Sequence, residues 1–279
     1  MKLSRKLLLF VALTLSLAMV TGGTLAYLSD TDADVNTMTL GNVHIVQNVQ
    51  ERDTQGKLVP FTQDKPLYPS PYSGNAVLWA NPANWPVPND RNWAVLADRT
   101  TVVDKFVTVT NTGKSPAYLR TIVAVESTAN PLEDGEYIGV VCNTRATAGA
   151  DKMSDWIWLT DAESLKVGDK YFHISYVTYL QPLQPGETSL PSVKQLFMTR
   201  EANNEFVEKL GEKYDVLILS QAVQTDGFDD AETALNAAFG EVNLENAAEW
   251  FGGEPIRDVG SPGGTLPDGW IDNNPPIIP

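Results

Sequence analysis

The stretch TVVDKFVTVTNTGKSPAYLRTIVAVES, residues 101–127, constrains the fold of this chain more than any other. Apolar and polar residues alternate on both sides of Asn111-Thr112-Gly113, and a period of two residues is typical of half-buried strands. The second run divides its residues between two faces, with Leu119, Thr121, Val123 and Val125 on one and Tyr118, Arg120 and Ile122 on the other. The Asn-Thr-Gly triplet predicts a turn, either of a hairpin or of a Greek-key connection.

Further strands are predicted at Leu40–Val49, Tyr137–Cys142, Trp156–Leu159, Tyr171–Leu180, Val193–Met198 and Tyr214–Thr225. The last of these is apolar on both faces, which indicates a central strand. Helices are predicted in TREANNEFVEKLGEKY, in LENAAEWF and in DDAETALNAAFG, where Asp229 and Glu232 form a capping-box pattern and Gly240 ends the helix. Many strands and few helices predict a mainly β protein, an antiparallel sandwich with a few short helical inserts.

The alternation also predicts which side chains form the core. The residues expected to be buried are Val107, Val109, Leu119, Val123, Val125, Leu217 and Leu219.

Residues 1–26 are predicted to be a signal peptide. MKLSRK is a basic n-region, LLLFVALTLSLAMV is an apolar h-region of 14 residues, and Thr24 and Ala26 are the small residues of a cleavage site. Cleavage after Ala26 makes Tyr27 the new N-terminus. The alternative is a retained anchor, because extending the apolar run through Gly22, Gly23 and Thr24 nearly reaches the length of about 20 residues that a membrane span needs.

The residues around and after this site carry a more specific pattern. Its members are Gly22, Gly23, Thr24, Ala26, Tyr27, Asp30, Thr39, Gly41, Val43 and Ile45. The stretch GGTLAYLSDTDADVNTMTLGNVHI resembles the N-termini of the TasA/camelysin family, which is exported through the signal peptidase SipW. VDKFVTVTNTGKSPAYLRTIVAVE resembles that family's strand, Asn-Thr-Gly turn, strand unit, and LQPGETSLPSVKQL resembles its Pro-Gly-x-Thr turn.

The resemblance implies a jelly-roll-like β domain over residues 27–251. It also implies a secreted protein of a biofilm matrix or cell surface that assembles into fibres. The implied partners are further copies of the chain, other matrix proteins and a SipW-type signal peptidase, with membrane contact only during export.

The physical route to fibres would be β-strand addition, in which the new N-terminal segment of one subunit completes a sheet of the next. The assembly segment is predicted to include Tyr27, Leu28, Asp30, Thr39, Gly41, Val43 and Ile45. The alternative is that this segment pairs within its own sandwich as an ordinary first strand.

The same stretch admits a metal hypothesis. Asp30, Asp32 and Asp34 match the start of a calcium loop, but Val35 and Gly41 stand where an EF-hand needs Gly and Glu. A solvated polar linker is therefore favoured, and no metal or cofactor is expected.

Two segments depart from the strand pattern. Residues from about 51 to 100 are rich in Pro, Trp and Tyr, which predicts an insert packed onto the sandwich through its aromatic rings, or else a glycan-binding platform. Residues 252–279 contain six Gly and six Pro, which predicts a flexible tail.

Composition excludes several functions. A net charge of −15 argues against nucleic-acid binding.

Cys142 is the only cysteine, so no intramolecular disulfide is possible. A low cysteine content is common in exported Gram-positive proteins. Its apolar surroundings predict a buried, inert thiol. His44 and His173 are the only histidines, no zinc-protease or G-x-S-x-G motif is present, and we expect no enzyme.

Three functions follow, in order of preference. The first is a structural matrix or surface protein that assembles by β-strand addition. The second is a secreted binding module for a glycan or protein ligand, using the Trp/Pro-rich insert. The third is a secreted hydrolase.

Overall fold

The alternating runs form strands of two facing sheets, with helices on one outer side. We describe the fold from a computed structural model, which covers residues 35–40, 42–62, 79–80, 95–96, 102–127, 138–159, 163–199, 202, 208 and 214–257. Within these ranges the chain is mainly β, as the alternation predicts. No described helix is both long enough and apolar enough to span a membrane.

The first sheet contains the longest strands. Its order is β1 (Val35–Leu40), β14 (Val216–Gln224), β8 (Ala117–Ser127), β12 (Lys170–Leu183), β11 (Glu163–Val167) and β15 (Glu254–Arg257), and β10 (Ile157–Trp158) also pairs with β12. Every pairing is antiparallel except the one between β1 and β14, which is parallel. β14 therefore has a neighbour on each side, as its apolar faces predict.

The second sheet is assembled from shorter strands. These are β3 (Leu58–Pro60), β2 (Ile45–Arg52), β7 (Phe106–Asn111), β6 (Val102–Asp104), β13 (Val193–Met198) and β9 (Ile138–Cys142). β3, β2 and β7 pair in that order, and β13 lies between β6 and β9. Backbone hydrogen bonds connect these two sets of three strands. The amides of Ser189 and Ser192, just before β13, donate to the carbonyls of Val109 and Val107 on β7. All of these pairings are antiparallel.

The Asn-Thr-Gly turn connects the sheets instead of closing a hairpin. β7, before the turn, pairs with β2 in the second sheet, and β8, after it, pairs with β14 and β12 in the first. The hairpin alternative is therefore wrong. The antiparallel sandwich is confirmed, and the jelly-roll path stays a prediction.

The core between the sheets follows the predicted faces. Ile45 and Val109 of the second sheet meet Leu119 and Val177 of the first, and a second cluster surrounds Val123. The predicted residues found buried between the sheets are Val107, Val109, Leu119, Val123 and Val125, and Leu219 is buried beneath the helical layer. The prediction is wrong for Leu217, which is half-buried against the outer helical layer.

The outer face of the first sheet is covered by two helices. A single short turn, α1 (Arg145–Ala148), precedes them in the chain, and they are α2 (Ala231–Phe239) and α3 (Leu244–Phe251). α2 ends at Gly240 as predicted, but its N-cap is Asp230 instead of Asp229, because the Asp230 carboxylate accepts from Thr233 N at 2.8 Å. The helix predicted in residues 199–214 lies largely outside the described residues.

A buried arginine attaches these helices to the sheet. Arg120 of β8 is 2% exposed, and its Nε donates to Gln221 Oε1 at 2.6 Å. Its Nη1 donates to Asn236 Oδ1 of α2 at 2.8 Å and its Nη2 to Gly240 O at 2.7 Å. Burial lowers the pKa of Arg120 to about 10, and the guanidinium lies 5.3 Å from the centre of the Trp250 ring of α3.

The second sheet extends into the segment predicted to be an insert. β2 continues through Arg52, turns at residues 53–57 and returns as β3, so the first ten residues of that segment belong to the sheet. A small pair, β4 (Trp79–Ala80) and β5 (Val95–Leu96), follows. The fully buried Val95 packs on Phe106 of β7, which attaches this part of the insert to the sandwich.

Candidate assembly edge

β1 forms one edge of the first sheet. Its residues pair in order with β14, from Val35 beside Ile218 to Leu40 beside Val223. Thr37 and Thr39 are exposed. Among the described residues, no strand pairs with the outer side of β1. The first described segment of the chain is therefore a complete parallel edge strand in its own subunit, which is the alternative that the sequence left open.

The two edges of the first sheet differ in chemistry. β15, at the opposite edge, contains Pro255 together with charged residues in the sequence EPIR. Proline and charge are common protections of an edge strand against pairing with another chain. β1 has the sequence VNTMTL, with neither proline nor charge. The β1 edge therefore lacks the protections that β15 carries.

Immediately after β1 the chain is held firmly. Val43 is completely buried and Ile45 is 9% exposed, both in the core between the sheets. The carbonyl of His44 accepts from Thr112 N at 2.8 Å and from Gly113 N at 3.0 Å. A Cβ at Gly113 would lie 2.9 Å from His44 N, so the close approach of the two backbones requires glycine there.

Asn111 joins the two turns that carry the family-like motifs. It is completely buried, its Oδ1 accepts from Gly113 N, and its Nδ2 donates to Ser115 O and Leu183 O. Its backbone carbonyl accepts from Gly186 N of the Pro-Gly-x-Thr turn at 2.7 Å. The predicted turns are thus neighbours in space, and they hold the segment that follows β1. Sequence reasoning identified both turns but missed this contact between them.

The predicted assembly residues fall into three groups. Ala26, Tyr27, Leu28, Asp30 and Gly41 lie outside the described residues, as do Asp32 and Asp34 of the calcium hypothesis. Thr39 lies on β1 with its side chain exposed. Val43 and Ile45 belong to the core of their own sandwich. An exchangeable segment would therefore end near residue 41.

Two titratable residues singled out in the sequence, His173 and Cys142, lie on strands that do not pair with β1. His173 of β12 is 8% exposed, and burial lowers its pKa to about 4. Cys142 is half-buried as a residue, but burial raises the pKa of its thiol to about 12, so the reactive thiolate is scarce at neutral pH. Within the described ranges no group of three potential metal ligands occurs.

Comparison with known proteins adds no relative. No family model, curated protein or solved structure matches this chain.

Proposed function

We propose that this chain is a secreted structural protein of an extracellular matrix or cell surface. Its subunits assemble into fibres when β1 of one subunit pairs with β14 of the next. The observation that supports the proposal is the edge strand formed by the first described segment, which contains neither proline nor charge and is followed by a firmly held core residue, Val43.

Exchange of β1 would cost little because the same hydrogen bonds form in both states. Whether the strand comes from its own subunit or a neighbour, β14 can present the same register to it. Such swapping of an identical element is a low-cost route to association. If each subunit donates β1 to the next, the contact is head-to-tail, and a head-to-tail contact that does not close gives a filament.

The limits of the exchanged element follow from the anchoring. Val43 and the His44 carbonyl stay with their own sandwich, so residues 41 and 42 would be the hinge. The swapped strand is β1 together with residues before it, which export would leave at a free N-terminus after cleavage by a SipW-type signal peptidase. N-terminal sequencing of the secreted protein tests this cleavage, with Tyr27 as the expected first residue.

Disulfide trapping tests the exchange. Thr37 and Ser220 are register partners across β1 and β14, so we place one cysteine at each position in a Cys142→Ala background. Chains carrying only Thr37→Cys, mixed with chains carrying only Ser220→Cys and allowed to form fibres, should yield a disulfide-linked dimer on oxidation. As the matched control, Thr54→Cys replaces an exposed residue of the turn between β2 and β3, which does not pair with β1, and should not cross-link with Thr37→Cys.

The double variant supplies the opposite test. With both cysteines in one oxidised chain, β1 is held in its own subunit, and electron microscopy should show no fibres until a reductant is added. Deletion of residues 27–39 should likewise leave a folded monomer that does not polymerise. Fibres that form equally well from the oxidised double variant would refute strand exchange, and a wild-type protein that never forms fibres would refute the structural role.

A further inference from the structure

A wholly buried lysine lies in the second sheet, whereas the candidate assembly edge belongs to the first. Lys194 of β13 has no exposed surface. Val193 pairs with Cys142 and Gln195 with Val141, so Lys194 is the extra residue of a β-bulge. Bulges redirect a side chain and are frequent beside functional sites. Here the bulge brings the amine of Lys194 to the end of β9.

The amide that meets this amine is equally buried. Asn143, which follows β9, has no exposed surface, and its Oδ1 accepts from Lys194 Nζ at 3.1 Å. Its Nδ2 donates to Pro191 O at 2.7 Å, and its backbone amide donates to Ser192 O at 3.2 Å. These bonds orient the amide so that the carbonyl faces the lysine and the nitrogen points away from it.

The surroundings favour the nucleophilic form of the lysine. Burial lowers the pKa of Lys194 to about 8, and the electrostatic interaction with Cys142 is a smaller effect in the opposite direction. The amine is then neutral at pH 7 more often than that of an exposed lysine. Desolvation in this way is a standard means of activating a lysine amine as a nucleophile.

We propose that Lys194 and Asn143 form an intramolecular isopeptide bond. The lone pair of Nζ attacks Cγ of Asn143, the bond between Cγ and Nδ2 breaks, and a proton from Nζ passes to Nδ2, which leaves as ammonia. The new bond joins Nζ to Cγ, and no oxidant or co-reactant is needed. Holding the two groups in contact replaces a collision with an intramolecular step, which favours a slow uncatalysed reaction.

The cross-link would act where a disulfide cannot. It would join two strands of the second sheet whose residues are 51 positions apart in sequence. The chain has a single cysteine, so no disulfide can hold these strands together. This inference does not rest on fibre assembly, because an isolated subunit would also contain the bond.

Mass spectrometry of the purified full chain tests the proposal. Loss of ammonia should make the intact mass about 17 Da lower than the sequence mass. Lys194→Arg should restore the sequence mass of that variant. Lys105→Arg is the matched control: Lys105 is also buried with a pKa lowered to about 8, but its Nζ lies over the Phe61 ring, and its replacement should leave the loss intact.

A second measurement identifies the bond itself. Succinimide formation at another asparagine also releases ammonia, so proteolysis must yield a branched peptide that joins residues 143 and 194. If the wild-type protein has its full sequence mass, or if digestion gives residues 143 and 194 only in separate linear peptides, the proposal is wrong. Both readouts use the wild-type chain, so they decide the matter even if Lys194→Arg does not fold.

Discussion

Replacement of Arg120 by methionine should release the helical layer from the first sheet. Methionine keeps the length and the apolar stem of the side chain and removes the guanidinium. The three acceptors that lose a donor are Gln221 Oε1, Asn236 Oδ1 and the carbonyl of Gly240. The contact of the guanidinium with the Trp250 ring is lost as well.

The magnitude follows from the burial of each acceptor. Gln221 is completely buried, so leaving its oxygen without this donor costs about 1–3 kcal/mol. Asn236 and Gly240 are half-buried and can partly exchange the guanidinium for water, at about 0.5–1.5 kcal/mol each. Part of this loss is offset, because the variant no longer has to bury a charged guanidinium. The same cost of desolvation is what lowers the pKa of Arg120 to about 10. We expect a net destabilisation of about 2–4 kcal/mol.

Urea unfolding measures this loss, and hydrogen exchange of α2 and α3 locates it. The helical amides should exchange faster than those of β8 and β14 because the guanidinium directly binds α2 and the cap that follows it. Arg145→Met, at an exposed position of α1, should change the free energy of unfolding by less than about 0.5 kcal/mol. An Arg120→Met protein as stable as the Arg145→Met control would refute the assignment of Arg120 as the anchor of the helices.

Three further predictions concern stability. Leu219→Ala should cost about 2–5 kcal/mol in urea unfolding, and Leu217→Ala, at a half-buried site, roughly half as much. The folded pKa of His173, about 4, lies below its ordinary 6.5, so the folded state binds fewer protons in that window. Stability should therefore fall by up to about 3 kcal/mol as the pH drops from 6.5 to 4, and His173→Gln should flatten this dependence in pH-resolved melts. Gly113→Ala should lower the melting temperature because its Cβ would collide with the backbone of His44, whereas Gly56→Ala, with open space around it, tests the cost of positive φ alone.

Local pattern was enough to identify most strands and the faces that they bury. Val193–Met198 matches β13 residue for residue, and the two faces of residues 117–125 divide between the inner core and the helical side. An alternation with a period of two residues indicates which side chains are buried, and it does so independently of which strands pair. Leu217 is the exception. It faces the helical layer near the end of β14, where its burial depends on helices that lie elsewhere in the sequence.

The candidate site was less accessible to sequence reasoning. Export, the turn motifs and an assembly segment could be predicted, but β1 could not, because VNTMTL contains few apolar residues at alternating positions. Its strand conformation comes from pairing with β14, where Val35 meets Ile218, more than 180 residues further along the chain. The pairing of Lys194 with Asn143 was equally hidden, since neither residue type marks such a contact.

The sequence by itself determined that this chain is a mainly β sandwich and which residues line its core. Those properties depend on hydrophobic burial, and the burial of one face of a strand gives that strand alternating apolar and polar residues. Only the tertiary structure decided that the Asn-Thr-Gly turn crosses between sheets, that β1 is a parallel edge strand, and that Arg120 binds the helices. Backbone hydrogen bonds can form between any two strands, so the choice of partner depends on the packing of the whole sandwich, which no local stretch encodes.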